Sequence, residues 1–221
     1  MSKWSQRKAA IAAESDYDHL LTIPMIELQD CHLDAVIQRI AAEFRATNAK
    51  RIYVADPYLN ETDVELIRKM FDGVVGREII IITRFSNIPS ESSDKCSTSS
   101  PDQDTSEEGP QHLTQKQRRA AVANVVKSTV DDLTKKGIFK ELKVLVVNFK
   151  FHDRFIFCSD EGSKGLLLWC GTSLNHFMSQ YGGIIRISNH SFKRQVIKFI
   201  DLAEKDNRDL DCFIAEISSV E

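Results

Sequence analysis

The sequence predicts an α/β fold in which a mixed, mostly parallel central sheet carries helices on both faces. Between residues 33 and 83, segments with apolar residues at helical spacing alternate with short apolar segments, as in parallel strands joined by helices. The run EIIIIT at 78–83 is rich in β-branched residues, which is typical of a strand covered on both faces. Hydrophobic residues make up 42% of the 221 residues, enough for one large domain with a sizeable core.

The bulk composition argues against several classes of protein. The formal net charge is −3, which disfavours a chain coated uniformly in basic residues for bulk nucleic-acid binding but leaves a local basic patch open. No apolar run reaches the roughly 18 residues that span a bilayer, and the N-terminus lacks a continuous apolar signal segment. The five cysteines are scattered without a CxxC pair, which predicts free thiols in a reducing, cytoplasmic compartment and argues against a zinc site.

Residues 1–50 are predicted to form a helical lead-in, and residues 51–221 the main domain. Within the lead-in, apolar residues at helical spacing predict a helix from about 33 to 47. The apolar segment 52–55 follows as a short strand. An Asp-Pro dipeptide ends this strand, because it favours a turn.

The next helix is predicted to begin at Thr62, with Glu65 as its capping-box partner. Its buried stripe consists of Val64, Ile67, Met70 and Phe71. After the strand at 78–83, the chain becomes rich in Ser, Asp, Glu and Pro, so a disordered polar insert is predicted at about 86–113. The alternative for this insert is a mobile lid or a guide for a substrate strand.

The second half of the chain is predicted to contain four strands between two helices. They are a helix at 114–135, a strand at 141–149, an antiparallel pair at 151–159 and 165–173, a strand at 182–188 and a closing helix at 191–204.

The stretch FKFHDRFIF at 149–157 alternates phenylalanines with cations and a histidine. Because residues two apart in a strand point to the same face, His152 and Arg154 are expected to project together. Asp153 then faces the phenylalanines on the other side, where a carboxylate needs a cation or backbone N–H partner. His152 and Arg154 are either a functional pair or the solvated face of an edge strand.

The next predicted strand ends in GTSLN, a turn suited to holding an anion. Gly171 lets the backbone approach a ligand closely, Thr172 and Ser173 offer hydroxyls, and Asn175 offers an amide donor. Free N–H groups in such a turn suit a phosphate, so the turn and the preceding His/Arg strand predict a phosphate pocket. Asp56, at the end of its own strand, is either a further pocket residue or a turn former.

A histidine and a cation two residues apart on one strand, followed by a Gly-Ser-x-Asn-like turn after the next, resemble the signature of the phospholipase D superfamily. The matching residues are His152, Arg154, Gly171, Thr172, Ser173 and Asn175. The DPYL stretch at 56–59 is similar to a segment of many bacterial members. The HDRF string followed by Gly-x-Ser-Leu resembles a variant branch, which includes prokaryotic phospholipase D-like proteins and the C-terminal domain of MIT-domain proteins.

The resemblance implies a phospholipase D-like fold and roles for individual residues. His152 is then the nucleophile or the general acid, and Arg154 is the phosphate clamp in place of the family's lysine. No metal or cofactor is implied. Because the superfamily site uses two histidines and this chain has one motif, a symmetric homodimer is implied. The family's motif aspartate falls where Ser159 stands, one residue before Asp160.

The resemblance further implies a phosphodiester-handling protein that acts on or binds nucleic acid, in a prokaryotic defence or DNA-processing setting, with an operon-encoded protein as a possible partner. The alternative is a non-catalytic phosphate-binding module, for phosphoinositide or nucleic acid, with membrane lipid as the second choice of ligand because the net charge is negative. The QKQRR run at 115–119 is either a contact for a phosphate backbone or a solvated first turn of a helix. Its basic residues oppose the helix dipole.

Overall fold

An eight-stranded sheet organises the residues that the computed structural model describes, namely 17–22, 33–71, 73–74, 77–85, 114–159, 165–171 and 183–219. Its strands are β1 (Tyr17–Thr22), β2 (Arg51–Ala55), β3 (Glu78–Thr83), β4 (Glu141–Val147), β5 (Arg154–Cys158), β6 (Leu166–Cys170), β7 (Gly183–Ile187) and β8 (Asn207–Asp209). The helices in the same residues are α1 (Leu33–Arg45), α2 (Glu61–Met70), α3 (Gln115–Lys135), α4 (His190–Lys205) and α5 (Leu210–Ser218).

The strand order is β1-β7-β6-β5-β2-β3-β4-β8. The prediction of an α/β fold with a mixed sheet is confirmed, but the mostly parallel arrangement is not. Only β2/β3 and β3/β4 pair in parallel, and the other five neighbouring pairs of described strands are antiparallel. The physical reason lies in the connections. Only residues 159–165 join β5 to β6, fewer than the roughly dozen residues that a parallel crossover needs, so these two strands pair antiparallel.

Helices cover both faces of the sheet, as predicted. Side chains of α1, α2, α3 and α5 pack with one face to form the larger core, which includes the edge-to-face pair Phe44 and Phe71 at 5.2 Å between ring centroids. The other face packs against α4, where Phe199 lies edge-on to Phe151 and Phe155. The phenylalanines of the FKFHDRFIF stretch are therefore core residues of the α4 side.

The start of α2 differs from the prediction by two residues. Asn60, not Thr62, caps the helix: its side chain accepts from the Asp63 backbone N–H at 3.1 Å, and the Asp63 carboxylate accepts from the Asn60 N–H at 2.8 Å. Both Asn60/Asp63 and Thr62/Glu65 have capping-box spacing, so the sequence pattern alone admits two starts. The predicted buried stripe of α2 and the residue after it is confirmed.

The described parts of the first fifty residues, 17–22 and 33–50, belong to the same sheet and core as the rest of the described chain. Tyr17–Thr22, within the predicted helical lead-in, is a strand that pairs antiparallel with β7. In α1, Ile37, Ile40 and Phe44 are buried in the larger core, and the helix ends at Arg45 rather than near 47. The predicted insert at 86–113 lies outside the described residues.

Strand directions bring several chain segments together at one end of the sheet. The two parallel pairs make β2, β3 and β4 finish there, and antiparallel pairing makes β5 begin there and β6 finish there. We call this the carboxyl end of the sheet. In open α/β sheets, ligands bind in the crevice outside the carboxyl ends of the strands.

Candidate functional site

A row of side chains crosses the carboxyl end of the sheet on the face of the larger core. Ala55 pairs with Phe155, so Asp56, one residue on, lies beside Arg154. Arg154 in turn pairs with Cys170 on β6. Neighbouring positions in adjacent strands point to the same face, which places Asp56, Arg154 and Cys170 side by side.

Asp56 and Tyr58 hold the guanidinium of Arg154 in place. Arg154 Cζ lies 5.0 Å from the centroid of the Tyr58 ring, a cation–π contact, and Arg154 Nε lies 4.0 Å from Asp56 Oδ1. The same Asp56 oxygen accepts the backbone N–H of Tyr58 at 2.9 Å, so one buried carboxylate both shapes the turn after β2 and faces the cation. The Arg154 side chain remains 23% exposed, while its Nε is buried and has no hydrogen-bond partner among the described residues.

His152 stands beside this arginine and is exposed to solvent. Its Nδ1 lies 3.4 Å from the hydroxyl oxygen of Tyr58, which is 94 residues earlier in the chain. Tyr58 therefore contacts both members of the predicted His/Arg pair. A hydrogen bond at Nδ1 orients an imidazole and leaves Nε2 directed elsewhere, which is the geometry that a histidine needs to meet a ligand.

The expected position of Asp153 is wrong. Its side chain is exposed, whereas Phe151, Phe155 and Phe157 are buried on the α4 side as expected. The strand begins only at Arg154, so the strict alternation inferred from the sequence does not extend back through Asp153. The carboxylate needs no buried partner for this reason.

The structure describes His152, Arg154, Asp56 and Gly171 of the predicted phosphate pocket. Gly171 follows β6 directly and is exposed at the carboxyl end of the sheet. Thr172, Ser173 and Asn175 lie outside the described residues, so their part in the pocket stays a prediction.

Two further buried groups adjoin the row, and the sequence interpretation did not select either. Asp63 lies at the start of α2, where burial, and after it the charges of Asp56 and Glu61, raise the pKa of its carboxyl group to about 8. Its Oδ1 has no hydrogen-bond partner among the described residues. Burial raises the pKa of the Cys170 thiol to about 12, and the charge of Asp56 adds to this effect. The thiol is therefore neutral and lies buried beside Arg154.

Tyr58 and Asp63 carried a weak sequence signal. Tyr58 lies in the loop after β2 and Asp63 in the first turn of α2, the helix that this loop enters. The connection leaves the carboxyl end of β2, where α/β proteins place ligand contacts. One tyrosine and one capping aspartate are common in any loop, and only their contacts identify them.

The described residues contain neither a candidate metal site nor a candidate membrane-spanning helix. Within the described ranges, histidine, cysteine, aspartate and glutamate do not come together in any group of three that suits a metal ion. Every helix that the structure describes is too short or too polar to span a membrane.

Comparisons with known proteins give structural likeness only. No family model and no curated protein matches the chain. Among solved structures, it is similar to NucT from Helicobacter pylori, with 13% identity, a TM-score of 0.45, and coverage of 86% of this chain and 97% of the other.

Two larger structures are similar over part of their length. For phosphatidylserine synthase from Haemophilus influenzae Rd KW20, the identity is 15% and the TM-score 0.46, over 80% of this chain and 37% of the other. For the archaeal chromatin protein TrmBL2, described as having a novel mode of DNA binding, the identity is 11% and the TM-score 0.39, over 93% of this chain and 60% of the other. At these identities and TM-scores, the similarities assign neither a family nor an activity.

Proposed function

We propose that this chain is a phospholipase D-like protein that binds a phosphodiester group of nucleic acid at the carboxyl end of its sheet. The observation that carries the proposal is the Arg154–Tyr58–His152 group, in which one tyrosine fixes a partly exposed guanidinium and an exposed imidazole side by side. A guanidinium offers paired N–H donors to phosphate oxygens, and an imidazole offers a donor or a nucleophile.

In this proposal, Asp56 positions the cation and does not touch the phosphate. A carboxylate repels a phosphate, and Asp56 instead contacts the Arg154 guanidinium and accepts the Tyr58 backbone N–H. Gly171, Thr172, Ser173 and Asn175 close the pocket from the β6 side, as their place after the neighbouring strand suggests.

A catalytic form of the site requires two imidazoles. Nε2 of His152 attacks phosphorus, the phosphorus–oxygen bond to the leaving strand breaks, and a second imidazole gives its proton to the departing oxygen. Water then attacks the phosphohistidine and returns both imidazoles to their first state. One motif per chain supplies one histidine, so we propose a homodimer in which His152 of the partner subunit is the acid.

A second candidate function is phosphate binding without turnover. It is favoured by the partner of His152, which is a neutral tyrosine hydroxyl 3.4 Å from Nδ1. A hydroxyl stabilises a developing imidazolium less than a carboxylate does, so attack by His152 receives less help.

Binding and cleavage of a fluorescein-labelled single-stranded DNA in EDTA test both candidates. Arg154→Ala is expected to weaken binding about tenfold, the effect of losing one charge-assisted contact. His152→Ala is expected to reduce cleavage by about 1000-fold or more if the histidine is the nucleophile. Arg194→Ala and His190→Ala are matched controls, because both side chains are exposed on α4, on the other face of the sheet.

The outcomes separate the candidates. Native affinity in Arg154→Ala would contradict the proposed site. Normal binding of DNA with no cleavage by the native protein supports the non-catalytic module. Light scattering that finds a strict monomer removes the paired-histidine mechanism but leaves the binding function intact.

A further inference from the structure

A second group of cations lies at the carboxyl end of the sheet, apart from Arg154. Arg84 follows β3, and Arg119 lies in the second turn of α3. The two are joined, because Arg119 Nη2 donates to the backbone carbonyl of Arg84 at 3.0 Å. The Arg119 guanidinium also lies 5.6 Å from the ring of Phe213, which stacks on Phe85 at 5.5 Å. Its position is therefore fixed by packing.

The electrostatics of this pair are unfavourable without an anion. Burial lowers the pKa of Arg119, and the charge of Arg84 lowers it further. In the part of the chain that the structure describes, Nε of Arg119 has no acceptor, and neither arginine has a carboxylate partner. Like charges held together and partly desolvated cost free energy, and an anion between them removes that cost.

The start of α3 adds positive charge. Its first turn contains no acidic residue, and Lys116, Arg118 and Arg119 all lie near the end of the helix where cations oppose the dipole. Stability alone favours acidic residues at this place. The arrangement fits a surface selected for a negatively charged ligand.

The distance to the first site fits one strand of nucleic acid. β3 is two strands away from β5, which corresponds to about 10 Å across the sheet. Phosphates of one strand in duplex DNA follow each other at about 3.4 Å of axial rise and lie farther apart in an extended single strand, so an interval of about 10 Å spans at most about three nucleotides.

We propose that Arg84 and Arg119 form a second anion site, which binds another phosphate of the same single strand whose phosphodiester is held at Arg154 and His152. This inference rests on the proposed function and specifies its ligand as a polyanion several nucleotides long. The strand then crosses from β5 over β2 to β3 and the start of α3.

Fluorescence anisotropy with labelled dT10, at several salt concentrations, tests the second site. The variants are Arg84→Ala, Arg154→Ala, the double variant and the control Arg194→Ala. Arg84→Ala is expected to weaken binding about three- to tenfold and to reduce the slope of log K against log salt by about 0.7, the share of one single-strand phosphate contact. The double variant is expected to show the product of the two losses, because the sites bind different phosphates.

Arg84 is the residue to change, because Arg119 packs on Phe213 and its loss also affects stability. Thermal melting of each variant checks the fold, and Arg84→Gln replaces Arg84→Ala if the latter melts lower. Control-like binding by the Arg84 variant, together with weakened binding by Arg154→Ala, overturns this inference and keeps the proposed function. If Arg84→Ala binds dT10 more weakly while Arg154→Ala binds like the native protein, the proposed function is wrong. The proposal that one DNA strand binds at both sites is then wrong as well. If Arg84→Ala loses binding to phosphoinositide vesicles but binds dT10 as the native protein does, the ligand of this second site is not nucleic acid.

Discussion

Raising the pH from about 5 to about 9 is expected to lower the free energy of unfolding by about 4 kcal/mol, because the pKa of Asp63 is raised from 3.8 to about 8 in the folded chain. The folded protein keeps a proton on Asp63 that the unfolded chain releases. Folding therefore binds a proton between these two pKa values, and stability falls as pH rises through this interval. Chemical unfolding at a series of pH values measures the effect.

The cause is the position of the carboxyl group in the structure. Asp63 is completely buried, and its Oδ2 accepts the N–H of Asn60, while the described residues supply no partner for Oδ1. Ionisation places a second negative charge near Asp56 and Glu61. A protonated Oδ1 avoids both the desolvation and the repulsion.

Asp63→Asn is the informative variant, because an amide has the shape of the protonated acid and carries no charge. We expect it to flatten the pH dependence and to be more stable than the native protein at about pH 9. Asp209→Asn is a matched control at another helix start. Asp209 caps α5, and its hydrogen bond from the Cys212 backbone lowers its pKa, so its contribution is lost as pH falls. A native-like pH profile in Asp63→Asn would show that the group is ionised in the fold.

Asp63 also links stability to the candidate site. The segment from Asp56 to Asp63 contains the carboxylate that faces Arg154, the ring that stacks on it and the cap of α2. Repulsion between the two aspartates at high pH acts on the same turn that orients Tyr58. Binding measurements at the proposed site are therefore best made below the pKa of Asp63.

Gly165→Ala is expected to lower the free energy of unfolding by about 3 kcal/mol, and the melting temperature by about 6–12 °C. A Cβ at this position lies 2.3 Å from the carbonyl oxygen of Cys158 and 3.2 Å from the Phe157 ring. Gly165 is buried directly before β6, where the pairing of β6 with β5 fixes the backbone. The clash is with main-chain atoms, so only a shift of the strand relieves it. Differential scanning calorimetry of the variant measures the loss.

Gly137→Ala separates the effect of space from that of backbone conformation. Gly137 has φ of 65°, and a Cβ there meets no atom of the described residues within 4 Å. Its substitution is expected to cost about 1 kcal/mol, the strain of a left-handed residue. Equal melting temperatures for the two variants would mean that β6 moves to accept the methyl group.

Features that depend on neighbours in the chain were predicted well. The apolar stripe of α2, the covered strand at 78–83 and the antiparallel pairing of β5 and β6 follow from side-chain spacing within one or two segments. Capping was less certain, because Asn60/Asp63 and Thr62/Glu65 satisfy the same spacing. The alternation of the FKFHDRFIF stretch was extended too far, since the strand starts at Arg154 and leaves Asp153 in solvent.

The sequence by itself determined the kinds of element in this protein and the pairing of His152 with Arg154 as a candidate group. Periodicity and residue type involve only a few neighbouring positions, so they can be recognised from the sequence alone. Only the tertiary structure decided that five of the seven described strand pairs are antiparallel, and that Tyr58 meets both His152 and Arg154. These outcomes depend on contacts between residues far apart in the chain, as far as Tyr17 is from Ile187. Their energies arise from packing of the whole sheet and leave no local pattern.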